Sequence, residues 1–381
     1  MIRDEALFAT LLDTVSRFVR EVLVPIEERL AREDAVPASV VEQMRALGLF
    51  GLTIPEEFGG LGLTVEEEVE VVLVLGRTSP AFRSVFGTNI GIGSRSLILT
   101  GTDEQKSRYL PRLASGDLIA SFALTEPEAG SDAASLRSQA RLDGEEWLLN
   151  GTKRFITNAS HAGLFTVFAR TGGEGADGIS AFLVEPNAPG FSLGRPERKM
   201  GQQGAPVCDV VLENCRVPRA NILGEPGKGF ATAMRTLDRG RVHIAALCVG
   251  IAERLIGDMA RYARERRQFG RPIADFQLIQ AMIADSQAEA FAARCMVVET
   301  AKRADAGVTM GRDASCCKLF ASEMVGRVAD RAVQVHGGAG YIGDYGVERF
   351  YRDVRLFRLY EGTSQIQQLI IARHVLAEAA A

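Results

Sequence analysis

The 381-residue sequence has four histidines and six cysteines, and each scarcity closes off a class of chemistry. Cys208, Cys215, Cys248, Cys295, Cys316 and Cys317 form no CxxC pair and have no histidine at finger spacing, so they read as reduced, buried small hydrophobes. His161, His243, His336 and His374 are equally dispersed, which gives a zinc site or a Cys/His nucleophile little support. No charge of one sign prevails: 44 basic residues face 48 acidic ones, well mixed, for a formal net charge of -4. That balance offers no footprint for nucleic acid or an anionic membrane. Uninterrupted apolar runs of membrane length are also missing, and Met1-Ile2-Arg3-Asp4-Glu5 places two acids where a leader would be basic. A cytoplasmic protein that spans no membrane is the expectation.

What is present is a composition of 46% hydrophobic and 24% charged residues, enough to bury a large core in two or three structural units. Leu7, Leu11, Val15, Phe18 and Val22 recur at helical spacing, and Val65 to Leu75 alternates acids with apolar residues in a second helical pattern. Pro25, Pro37, Pro55 and Pro80 interrupt this first tract. From about Leu118 the period changes. Ile119 to Leu124, Trp147 to Leu149, Leu164 to Ala169, Ile179 to Val184 and Val207 to Leu212 read as strands between turn signals, suiting an antiparallel barrel or sandwich. Beyond Gly229 the helical period returns. The order helical, β, helical excludes a parallel βαβ sheet and places the fold in a mostly α, α+β class.

Gly338-Ala339-Gly340-Tyr341-Ile342-Gly343 satisfies G-x-G-x-x-G, but Cys317, Phe320, Met324, Val328, Ala332 and Val335 put a helix, not a strand, directly before it. Gly337 and Gly338 therefore read as a helix terminus. Leu124 to Asp132 follows a strand and joins hydroxyls, carboxylates and small residues; Ala129, Gly130 and Ser131 would let a planar ligand reach main-chain donors, with Thr125 able to donate to a ring heteroatom. Asn150 to Asn158 offers an aromatic face, Phe155, beside the hydroxyl of Thr157. Alone, the first segment reads as well as a surface loop, and for the second an exposed turn is the plainer local reading. In Tyr360 to Ile366, Glu361 precedes a helix whose N-cap is Thr363; the helix terminus favours an ionised carboxylate while burial opposes it, which suits a base working near neutrality.

The order and spacing of five blocks, Phe122 to Asp132, Asn150 to Asn158, Glu265 to Gly270, Gln334 to Tyr341 and Tyr360 to Gln367, resemble the acyl-CoA dehydrogenase family over essentially the whole chain. That resemblance implies an N-terminal helical domain (1–117), a middle antiparallel β-domain (118–225) and a C-terminal four-helix bundle (226–381). It implies FAD, with Phe122, Leu124, Thr125, Phe155 and Thr157 along the flavin ring and Ser131 between flavin and CoA channel. Arg266, Gln268, Phe269, Gln334 and Gly338 correspond to contacts made to the cofactor of a second subunit, and Thr363 and Gln365 to further FAD contacts, so a homotetramer is implied.

The implied reaction is α,β-dehydrogenation of an acyl-CoA thioester to a trans-2-enoyl-CoA, with electrons passed to an electron-transferring flavoprotein. Glu361 corresponds to the base, its own N–H helping to stabilise the enolate. Some members carry the base immediately before the arginine matching Arg241, where this chain has Gly240. Asp238 and Arg241 correspond to positions near bound CoA, a solvated salt bridge being the plainer reading of both. An acyl-CoA oxidase or flavin monooxygenase on the same fold is one alternative, and a non-catalytic acyl-CoA-binding or assembly protein another. Arg83 matches by position the arginine that holds the distal carboxylate in glutaryl-CoA dehydrogenases; the plainer reading is a pair with a protein acid or a reach to solvent.

Overall fold

The computed structural model describes residues 1–380. Its N-terminal part comprises α1 (Glu5–Phe18), α2 (Glu27–Glu33), α3 (Ala38–Ala46), α4 (Val65–Leu75), α5 (Pro80–Ile90), α6 (Ile92–Thr100) and α7 (Asp103–Ser115). Local chemistry sets several of these boundaries. Asp4 accepts from the N–H of Leu7 to cap α1, and reciprocal capping boxes, Thr64 with Glu67 and Thr102 with Gln105, start α4 and α7. Pro80 sits in the first turn of α5, where no donor is lost. The α1 stripe buries Phe8, Val15 and Phe18, but Leu7 faces solvent.

A single sheet follows: β1 (Ala120–Ala123), β2 (Gln139–Asp143), β3 (Glu146–Thr157), β4 (Leu164–Arg170), β5 (Ile179–Val184), β6 (Phe191–Leu193), β7 (Val207–Pro218) and β8 (Ile222–Leu223). The order is β6-β7-β3-β2-β4-β5-β8, with β1 against β4. The sheet is not wholly antiparallel, because β1 and β2 both pair with β4 in parallel. Parallel pairing needs a long connection, and the β2–β3 hairpin supplies it between β1 and β4. β2 had no apolar run to betray it: only Ala140 of its five residues is buried.

The C-terminal part contains α8 (Gly229–Glu265), a small β9 (Arg267–Gln268) and β10 (Arg271–Pro272) hairpin, α9 (Gln277–Asp305), α10 (Gly311–His336), α11 (Val347–Val354) and α12 (Ser364–Ala379). α8, α9, α10 and α12 form the bundle, whose core also takes in Val65, Val69, Val72 and Leu73 of α4. The N-terminal helices and the bundle are thus fused along α4 and α8. A Cβ at Gly250 would overlap the carbonyl oxygen of Leu73, so this close approach depends on glycine. Gly337, at φ +58, ends α10, and the G-x-G-x-x-G segment is a short 3-10 turn, as the preceding helix demanded. The six cysteines are all free; Cys295 is exposed and Cys316 half-buried, contrary to the expectation of six buried thiols. No helix among the described residues is long and apolar enough to cross a membrane.

Candidate active site

A cavity of about 660 Å³ lies where the three regions meet, walled by α5 and α6, the loop after β1, β3, α8 and the turn before α12. On the β side, Phe122, Leu124 and Thr125 lead into the Gly130–Ser131 loop, and a Cβ at Gly130 would meet nothing, so that backbone borders open space. The β3 ladder slips between Lys153 and Ile156, and Phe155 takes φ +60 at the slip. The bulge turns its ring outward into the cavity, beneath the Arg154 guanidinium. The hydroxyls of Thr125 and Thr157 line the same wall and bond to no protein group among the described residues.

Opposite stands Glu361, at φ +52, an uncommon conformation for a non-glycine residue. Lys318 Nζ donates to the Gly362 carbonyl at 2.6 Å, and Gln367 Nε2 donates to the carbonyls of Glu361 and Gly362, so the strained turn is tied on two sides. Thr363 caps α12 by accepting from the Ile366 N–H, which puts Glu361 two residues outside the helix rather than in its first turn. Burial raises the Glu361 carboxyl above its ordinary range, opposed by the charges of Arg83, Lys318 and Arg241. Its Oε2 is shielded from solvent and has no hydrogen-bond partner. A Cβ at residue 240 would overlap that oxygen, so Gly240 is the space Glu361 occupies.

The inner end of the cavity carries a buried polar chain that sequence reasoning missed. Arg83 Nε donates to His243 Nε2 at 2.6 Å, His243 Nδ1 lies 2.7 Å from Glu68 Oε1, and Arg239 Nε donates to Glu68 Oε2 at 2.6 Å. Because Nε2 must accept from Arg83, the histidine proton resides on Nδ1 and points to Glu68. Burial and the Arg83 charge push the imidazole down to about 4, so it is neutral at pH 7. Burial alone would raise Glu68, but Arg239 and His243 outweigh it and hold the carboxyl at about 2. Arg83 is therefore buried and paired with a neutral ring, neither with an acid nor with solvent.

Of the residues expected from sequence, Arg83, Phe122, Leu124, Thr125, Ser131, Phe155, Thr157, Arg241 and Glu361 converge on this cavity. Asp238 stands behind it and holds Arg241 at 2.6 Å; the arginine is buried, so this is no solvated surface pair. Arg266, Gln268, Phe269, Gln334, Gly338 and Gln365 lie outside the cavity on exposed surface, with Phe269 92% exposed at the tip of the β9–β10 hairpin.

Three family profiles cover nearly the whole chain: acyl-CoA dehydrogenase N-terminal domain over residues 8–117, middle domain over 121–215 and C-terminal domain over 227–376. The chain belongs to the acyl-CoA dehydrogenase family. A curated relative, the acryloyl-CoA reductase (NADH) of Anaerotignum propionicum, is 44% identical over 363 residues, 94% of this chain and 92% of that protein. The solved butyryl-CoA dehydrogenase of Megasphaera elsdenii superposes with a TM-score of 0.95 at 33% identity, covering 99% of this chain and 100% of the other. An acyl-CoA dehydrogenase of Bacillus anthracis, solved with FAD, gives 0.92 at 34% identity over 99% of this chain and 68% of the other.

Acyl-CoA dehydrogenases are FAD-dependent oxidoreductases, and this member's cavity fits the cofactor. The unpartnered hydroxyls of Thr125 and Thr157, the outward Phe155 ring and the open space at Gly130 make a flat wall with free donors, the surface a heteroaromatic ring requires.

Proposed function

We propose that this acyl-CoA dehydrogenase removes hydrogen across the α and β carbons of an acyl-CoA thioester, yielding a trans-2-enoyl-CoA, with Glu361 as the base. The observation that carries this reading is the Glu361 carboxylate: on a half-buried residue, with one oxygen shut off from solvent and unpartnered, raised above its ordinary range and lining the same cavity as the ring-binding wall. FAD held against this wall would supply the two-electron oxidant that takes up the β-hydrogen with its electron pair. Glu361 takes the α-proton. Its backbone N–H, which donates to no protein group among the described residues, is free to bond the thioester oxygen as negative charge develops there. The tied turn holds base and donor in one orientation.

On this reading Phe122, Leu124, Thr125, Phe155 and Thr157 hold the flavin, with Ser131 at its border with the CoA channel; Asp238 and Arg241 serve the CoA side. Arg266, Gln268, Phe269, Gln334 and Gly338 reach the cofactor of a neighbouring subunit, and Thr363 and Gln365 make additional FAD contacts. The exposed Phe269 and the unshielded Arg266 support a site completed by assembly, in a homotetramer whose electrons leave to an electron-transferring flavoprotein in the cytoplasm.

Anaerobic addition of acyl-CoA to the yellow holoenzyme tests the reaction: the flavin absorbance bleaches and an enoyl-CoA accumulates in equal amount. Persistent colour with every thioester tried sinks the reading. Arg266→Ala is expected to lose FAD and subunit association together, and a fully flavinated monomer would refute the shared site.

A further inference from the structure

Lys153 and Lys318 are the fully buried lysines among the described residues, and they differ in what faces them. Lys153 has the Glu126 carboxylate at 2.6 Å. Lys318, on α10, forms no ion pair with any described residue; its Nζ donates once, to the Gly362 carbonyl at 2.6 Å. The charged and titratable groups around it are Cys248 and Arg241 from α8, Glu323 from its own helix, and Glu361 from the turn before α12. Burial pushes the Cys248 thiol far up, so it stays neutral and offers no counter-charge at pH 7. Glu323 already accepts from Arg358 Nε at 2.8 Å and from Ser364 Oγ at 2.6 Å. That leaves Glu361 as the acid with an uncommitted oxygen.

The hydrogen bond to Gly362 does not by itself account for a buried ammonium. Gln367 Nε2 already donates to the carbonyls of Glu361 and Gly362 at 3.0 and 3.1 Å, and an apolar side chain would fill the same space in the bundle without desolvating a charge. The position of the ammonium has a chemical consequence. Lys318 does not line the cavity, so it approaches the base from behind, through the Gly362 peptide. A cation in contact with the carboxylate would cover the oxygen that must take a proton, whereas a cation one peptide away favours the ionised form and leaves that oxygen bare. The Lys318 charge opposes the effect of burial at Glu361, as do those of Arg83 and Arg241, while Glu68 acts with burial. Arg83 is engaged by His243 and Arg241 by Asp238. Burial pushes the Lys318 ammonium down to about 8, so it still carries its proton at pH 7.

We propose that Lys318 is a positioning residue for the proton transfer: its ammonium clamps the Gly362 carbonyl, fixes the Glu361 carboxylate and backbone N–H toward the thioester, and supplies the positive charge that faces the base from behind. This inference rests on the dehydrogenase reading and adds to it a residue outside the cavity.

The test follows flavin reduction by stopped-flow in FAD-loaded enzyme under anaerobic conditions between about pH 5 and pH 9.5, the span in which both groups titrate. The probe is whichever of butyryl-, octanoyl-, isovaleryl- and glutaryl-CoA bleaches the wild-type flavin fastest. Lys318→Met removes the charge that favours ionised Glu361, so the acid limb of the rate should move up by about one pH unit, and the rate on that limb should be about tenfold lower. The thioester concentration for half-maximal reduction should stay within about twofold, since no group lining the cavity has changed. Lys318→Gln keeps a donor without the charge and should move the limb equally. A limb that stays at its wild-type position in a folded, FAD-loaded variant overturns the inference and leaves the dehydrogenase intact, because a merely structural lysine would alter stability and not that limb. If neither variant holds FAD, the wild-type profile decides: the rate should fall again as pH rises through about 8, where the clamp loses its charge, and a level rate to the top of the range overturns the inference equally. Failure of all four thioesters to bleach the wild-type enzyme defeats the dehydrogenase reading itself, and this inference with it.

Discussion

Two glutamates with shielded carboxylate oxygens, one in the β-domain and one at the edge of the helical bundle, meet opposite fates. Glu126, in the loop after β1, accepts from Lys153 Nζ at 2.6 Å and from the N–H groups of Arg137 and Ser138. Burial raises its carboxyl, but the Lys153 charge and these donors more than reverse the shift. Glu361 is raised by burial too, and the charges of Arg83, Lys318 and Arg241 do not reverse the shift, because none of them bonds its free oxygen. Burial alone does not make a carboxylate reactive; burial without donors does. The first glutamate locks a loop and the second is left able to take a proton.

The largest expected effect is in the reaction itself. Glu361→Gln should keep FAD and acyl-CoA binding yet reduce flavin at a rate lower by about a thousandfold or more, since the amide keeps the shape and removes the base. Its thermal stability should not fall, because no buried partner is abandoned. Near-normal reduction in stopped-flow would move the base to another carboxylate.

Glu126→Gln should show the reverse pattern. It strands Lys153, which is fully buried, without its counter-charge, and should cost about 3 kcal/mol of stability in denaturant titrations at saturating FAD. Unchanged stability would mean that Lys153 tolerates solitude and that the pair is not what distinguishes the two regions.

Gly240→Ala probes the space around the base. The added methyl must displace the carboxylate, and a shift of about an ångström should slow flavin reduction by about a hundredfold with the flavin spectrum retained. A rate within about twofold of wild type, on that same scale, would show that the Glu361 turn yields freely.

The smallest effect is the pH response. Glu361, raised above the ordinary 4.5, must be ionised to act, so the reduction rate should fall as pH drops through its folded value while the protein remains native. The stability that Glu126 contributes is complete above the unfolded carboxylate range and disappears only as pH falls through its depressed folded value. Activity should therefore be lost at a higher pH than the fold, and coincident loss of both would erase the contrast.

Much of this arrangement was legible in the chain. The changes of hydrophobic period marked helical, β and helical tracts because packing on one face imposes a period of 3.6 or 2. Thr363 declared the start of α12, and the helix before Gly338 ruled out a dinucleotide turn. β2 and the parallel β1–β4 pairing were not legible, since a short strand with one buried side chain carries no periodic signal and strand direction depends on distant partners. Arg95, Arg239, Glu68 and His243 gave no warning either. Each is an unremarkable polar residue within its own helix.

The sequence by itself determined the element order, the helix caps and which carboxylate stands before α12, because caps, turns and periodicity act over a few residues. Only the tertiary structure decided what those residues do. Packing of α4, α5, α6 and α8 brought Arg83, Arg95, Arg239, His243 and Glu68 together along the cavity, and the same packing left Glu361 without a donor. The physical reason is desolvation: a charge on a solvated helix face costs almost nothing, and it acquires a consequence only when burial forces the question of which partner, protein or ligand, will neutralise it.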